Sequence, residues 1–101
     1  MGNRLELHKI LVEILGSRNV YFQPPATLKM NYPCIVYKRS TGDSQFGDNS
    51  TYIYKQRYQI IYIDKNPDNS IIEKIIRLPL CVYDRGYSSD NLNHDVFNIY
   101  Y

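Results

Sequence analysis

Tryptophan is missing from this sequence, and cysteine and histidine occur only twice each. That scarcity removes whole classes of chemistry. With only Cys34, Cys81, His8 and His94 to draw on, no C-x-x-C pair and no H-E-x-x-H helix can form. No acidic loop carries the terminal glutamate of a calcium site; Asp43 and Asp48 flank a long polar loop and read as turn formers. Gly42 and Gly47 fit neither a Walker loop nor a dinucleotide fingerprint. His94 lies beside Ser88, Ser89, Asp90 and Asp95 on one short stretch, whereas a triad needs groups that converge in space, and no G-x-S-x-G elbow is present. A local capping or turn role is expected for His94, and an exposed position on the polar side of the first helix for His8. Catalytic, metal and cofactor residues are therefore all expected to be none, and the chain is not read as an enzyme.

Charge of one sign is also in short supply. The formal net charge is +2, too small to imply a nucleic-acid or membrane partner by itself. No long apolar stretch opens the chain, so neither a secretion signal nor a membrane span is expected, and synthesis in the cytosol fits. Cys34 and Cys81 each sit in an apolar run, Pro33-Cys34-Ile35-Val36 and Leu80-Cys81-Val82, and read as buried free thiols rather than a disulfide.

What is abundant is tyrosine, with 11 residues. Tyrosine joins a large apolar ring to a polar tip, which suits half-covered surfaces and subunit contacts. Hydrophobic residues make up 44% and charged residues 22%, the balance of a globular chain, and 101 residues suffice for one domain over the whole of 1–101.

Asn3 and Glu6 have capping-box spacing, and Leu7, Ile10, Leu11, Ile14 and Leu15 recur at helical period up to Gly16. Residues 19–23 form a short strand ended by Pro24-Pro25. Tyr32-Pro33 leads into a second strand, 34–41. After a polar loop with Phe46 at its middle, residues 52–64 give the longest strand. Its even positions Tyr52, Tyr54, Tyr58, Ile60 and Tyr62 are apolar, and its odd positions Lys55, Arg57 and Gln59 are polar. These two strands read as a hairpin whose tip projects beyond the core. Ser70 and Glu73 form a second capping box, opening a short helix that Pro79 ends. Residues 80–84 form a strand, 85–92 a loop, and 95–101 a final strand. The expected fold class is α+β: a mostly antiparallel β-sheet with two helices packed on one face, in the order α-β-β-β-α-β-β, with a projecting β-hairpin.

One constellation points to a different role. Tyr37-Lys38-Arg39 faces Tyr54-Lys55-Gln56-Arg57-Tyr58 across the hairpin, and bases interleaved with aromatics resemble surfaces that stack single-stranded nucleic acid. No RNP-type sequence accompanies them, and charge-driven binding calls for a larger basic excess. A small single-stranded nucleic-acid-binding module is thus the alternative.

The order of several segments resembles the tail terminator, or tail completion, proteins of tailed bacteriophages. They are Leu7-His8-Lys9-Ile10-Leu11, Val20-Tyr21-Phe22-Gln23-Pro24-Pro25, Tyr32-Pro33-Cys34-Ile35-Val36-Tyr37, Ile63-Asp64-Lys65-Asn66-Pro67-Asp68 and Asp90-Asn91-Leu92-Asn93-His94-Asp95-Val96-Phe97. The resemblance covers nearly the whole chain. It implies a virion structural protein of the tail and neck, made in the host bacterial cytoplasm. Such proteins form a homo-oligomeric, hexameric ring at the head-proximal end of the tail tube. The ring ends tail growth and joins the tail to the head. The implied partners are the tail tube protein, the head-side neck or connector proteins, and the sheath where the tail is contractile. No membrane and no specific nucleic acid is implied, although DNA passes through such a ring. A closed ring needs two different complementary surfaces on each subunit, and exposed tyrosines with a free sheet edge are suitable material. The expected interface residues are Gln45, Phe46, Asp48, Tyr52, Tyr54, Lys55, Arg57, Tyr100 and Tyr101.

Overall fold

The computed structural model describes residues 4–40, 56–66 and 70–101. Helix α1, Arg4–Leu15, buries Leu7 and Leu11 completely, one turn apart on a single face. Its end is set at Gly16, whose φ of +79° is free of the penalty a side chain would bring and whose N–H bonds the Val12 carbonyl at 2.8 Å. Asn3, the expected cap, lies outside the described residues.

Five strands follow in one open sheet: β1 (Val20–Phe22), β2 (Cys34–Arg39), β3 (Arg57–Asp64), β4 (Cys81–Ser89) and β5 (Leu92–Tyr100), with helix α2 (Ile71–Ile76) between β3 and β4. The spatial order is β1-β2-β3-β5-β4. All neighbours are antiparallel except β1 and β2, which run parallel with Val20 opposite Ile35. The fold is the mostly antiparallel α+β arrangement in the expected order.

Register explains the one-sided core. Ile35 stands opposite Tyr62 and Tyr37 opposite Ile60; on the other side of β3, Ile60 meets Phe97 and Tyr58 meets Ile99. These residues share one face and cluster with Leu7 and Leu11 of α1 and Ile75 of α2. Both helices therefore cover the same face. Cys34, Ile63 and Val96 are buried on the other face. The even row of β3 is buried as its alternation predicts, while residues 52–55 and the tip of the expected hairpin lie outside the described residues.

Two expectations need correction. The stretch 85–92 is not a loop: β4 continues to Ser89, Asp90 and Asn91 make a two-residue turn, and β5 begins at Leu92. Both turn residues have positive φ, 54° and 63°, as a type I′ hairpin requires and as Asp and Asn tolerate. The second capping box does not form. Ser70 has helical dihedrals and makes no side-chain cap; its carbonyl instead accepts from the N–H groups of Glu73 and Lys74.

Phe97 is fully buried and meets Tyr83 edge to face, the ring centroids 5.3 Å apart. Phe97→Ala is expected to lower the unfolding free energy by about 3–5 kcal/mol. A urea midpoint that barely moves at constant slope would show that this ring is not central.

Candidate interaction surface

Three of the expected interface residues come together at one end of the sheet. Arg57 pairs in register with Tyr100, and Gln56 and Tyr101 exchange backbone hydrogen bonds at 3.0 and 3.1 Å. The Tyr101 hydroxyl donates to Glu6 of α1 at 3.4 Å. Gln45, Phe46, Asp48, Tyr52, Tyr54 and Lys55 lie outside the described residues. Beside Tyr100 and Tyr101 an apolar cleft of about 300 Å³ opens between α1 and the segment leading into β4, with Ile10, Leu78, Pro79 and Leu80 on its walls.

Leu80 is unusual. It holds φ at +60° without being glycine, and its side chain is 55% exposed. A left-handed leucine costs about 1–2 kcal/mol, and little burial offsets that cost here. From it runs β4, a nine-residue edge strand exposed at every position but the first. No described strand pairs with its outer edge. Val82 and Tyr87 stand out on one face and Tyr83 on the other. Long exposed edges are templates for pairing, and proteins blunt them with bulges and charges. Here a register shift falls between Tyr83 and Arg85, and Asp84 pairs with Arg85 at 2.9 Å. Beyond the shift, the Tyr83 hydroxyl lies over Gly86, where a Cβ would come within 2.6 Å of it, and donates to Asp95 at 2.9 Å. Tyr87 stacks flat on His94. His94 has the local role expected of it, its Nδ1 bonding the Leu92 carbonyl at 3.2 Å.

The opposite edge is different in kind. β1 has three residues, and Phe22 carries two guanidinium groups over its ring, Arg4 at 4.3 Å and Arg39 at 5.3 Å. Behind it Tyr37 is fully buried. Its hydroxyl meets His8 Nδ1 at 2.8 Å and accepts from Arg4 at 3.4 Å. His8 is thus not a free surface residue, which corrects the expectation from helical spacing: it partners a core tyrosine. Burial, with Arg4 second, holds its pKa below the usual 6.5.

The basic and aromatic hairpin does not form a stacking platform from the residues described. Tyr37 and Tyr58 point into the core, on the same face as the helices. Tyrosine is thus a core residue here as well as a surface one. The two thiols are free and have two strands, β3 and β5, between them in the sheet, Cys34 buried and Cys81 half-buried. Burial pushes both up to about 11, so they stay protonated and unreactive at neutral pH. Among the described residues no group of three or more His, Cys, Asp or Glu side chains is placed to hold a metal, and no helix is long and apolar enough to cross a membrane. Comparisons with protein-family profiles, with curated proteins and with solved structures return no match.

Two outcomes follow from this geometry. Folding disfavours the imidazolium of His8, so its contribution is fully present above about pH 6.5 and is lost as pH falls through its lowered folded value. His8→Gln, which keeps a partner for Tyr37, should flatten the fall in stability between neutral and mildly acidic pH; an unchanged profile would show that His8 is not titrating against the fold. Leu80→Gly removes the left-handed penalty but adds chain entropy, so stability should stay within about 1 kcal/mol of the parent. A loss above about 2 kcal/mol in thermal or urea unfolding would instead mark Leu80 as a packed core side chain.

Proposed function

We propose that this chain is a tailed-bacteriophage virion protein of the tail-terminator type, which assembles as a ring at the head-proximal end of the tail tube and joins tail to head. The observation that carries this reading is the unlikeness of the two sheet edges. A ring closes by head-to-tail contact, and head-to-tail contact needs two different surfaces on each subunit. One edge is the long strand β4, exposed along its length and bearing Val82, Tyr83 and Tyr87. The other is the three-residue β1, with a basic, aromatic corner. Neither edge resembles a reactive centre, and both have the aromatic and arginine content of contact surfaces. The cleft beside Tyr100 and Tyr101 adds an apolar seat bordered by the strained Leu80.

The supporting resemblance is the segment order along the chain. It agrees with a sheet flanked by helices, and it supplies the partners: copies of the chain itself, the tail tube, and the neck proteins above it.

The test is assembly. Purified protein, alone and mixed with preformed tail tubes, is examined by sedimentation velocity and negative-stain microscopy. Annular particles that bind tube ends and stop tube growth are expected, with Leu80→Gly reducing ring formation while the fold stays within about 1 kcal/mol of the parent's stability. A chain that stays monomeric in both conditions and leaves tube length unaltered overturns the reading.

A further inference from the structure

We infer that the basic corner around Phe22 is one half of a self-contact, and that the β4–β5 hairpin of a second copy is the other half. This deepens the ring reading and rests on it. The corner brings together side chains from three elements: Arg4 of α1, Phe22 of β1 and Arg39 of β2. Two guanidinium groups over one ring repel each other, and no carboxylate among the described residues pairs with either. Arg4 is engaged by the Tyr37 hydroxyl, and the backbone N–H of Arg39 by Gln23 Oε1 at 3.2 Å, so the corner is held in place while no carboxylate among the described residues balances its charge. Lys38 adds a third cation nearby, on the opposite face of β2, and strands β1 and β2 contain no acidic residue.

The far edge carries the complement. The β4–β5 hairpin holds Asp84, Asp90 and Asp95 against a single arginine, Arg85. Asp84 sits at the register shift on the exposed strand, where its partner at 2.9 Å is the exposed Arg85, a surface pair weak enough to exchange for a better fork, and Asp90 is in the exposed turn. Arginine forks match carboxylates in two-bond geometry. Tyr83, Tyr87 and Val82 supply the apolar area that charge alone lacks. A symmetric β4-to-β4 contact would leave the Phe22 corner unused. A head-to-tail contact sets the basic edge of one copy against the acidic edge of the next and leaves the same pair of edges free at its ends. That is the property a closing ring needs.

Charge reversal tests this. One variant carries Arg4→Glu and Arg39→Glu, a second carries Asp84→Arg, and Arg39→Ala serves as the milder form should the double reversal lower the melting temperature. Self-association of the parent is measured by sedimentation at low and high salt. Each reversal alone should weaken it by at least about tenfold, as loss of a charged interface partner does. Mixing the two reversed variants should restore assembly with the two alternating around the ring, because each contact between unlike variants then pairs opposite charges. Parent-like association of either variant, or a mixture that stays dissociated, overturns the contact. If rings persist through both reversals, this pairing falls while the ring reading stands; if the parent never assembles, alone or on tubes, both fall. If Arg39→Ala abolishes binding of a single-stranded oligonucleotide yet leaves self-association intact, the corner serves nucleic acid instead and the pairing is overturned.

Discussion

The central strand β3 fixes the rest of the structure. It is paired on both sides, with β2 and with β5, and its alternate residues Tyr58, Ile60 and Tyr62 form a fully covered row. A slip of one residue would turn that row to the other face. Once the row faces α1 and α2, the inward residues of the neighbouring strands are set: Ile35 and Tyr37 on one side, Phe97 and Ile99 on the other. The polar tips reinforce the choice. Tyr62 donates to Asp64, two residues along the same face, at 2.5 Å. The buried hydroxyl of Tyr37 meets His8 and Arg4. Tyr37 and Tyr62 combine ring burial with a partner for the hydroxyl, which disfavours registers that would strand those oxygens.

The sequence was most legible where burial is one-sided and least legible at the edges. The β3 alternation and the α1 stripe each report a single covered face: Leu7, Leu11, Tyr58, Ile60 and Tyr62 are buried, while Ile10, Ile14 and Leu15 of the stripe are half-buried. The outer half of β4 reads as a loop because an edge strand exposed on both faces has no reason to alternate, and the shift at Asp84 breaks what periodicity there is. The Asp90-Asn91 pair was the available signal, since both residues tolerate the left-handed conformation of a two-residue hairpin. The parallel pairing of β1 with β2 had no sequence signature. Of the expected interface residues, Arg57, Tyr100 and Tyr101 do meet. The Phe22 corner went unseen because its parts lie on three separate elements.

Tyrosine content alone could not tell core from surface. Tyr37, Tyr58 and Tyr62 lie in the core; Tyr83 and Tyr87 lie on the edge strand. Two of the buried three have hydrogen-bond partners among nearby polar side chains. The exposed pair are held differently, Tyr83 over Gly86 with a bond to Asp95 and Tyr87 stacked on His94. Those contacts fix rings that would otherwise lose rotamer freedom on meeting a partner. An edge whose aromatics are already ordered pays less entropy on association.

Among the described residues the sheet stops at five strands, which leaves two edges that differ in length, in direction and in charge. A sheet closed into a barrel would have neither, and a sheet with like edges would favour symmetric pairing. The helices cannot remove the asymmetry, because both lie on the same face and are committed to covering the β3 row. β4 is the strand with least packing to lose: it keeps its ladder to β5 while nearly all its side chains stay in solvent. Changes along it should alter contacts made outward far more than the fold that carries them. The same separation holds at the Phe22 corner only for Arg39, which is exposed; Arg4 also serves the core through Tyr37. Arg39 and Asp84 are thus the pair of positions where association can be changed with least disturbance to the core row on which the structure rests.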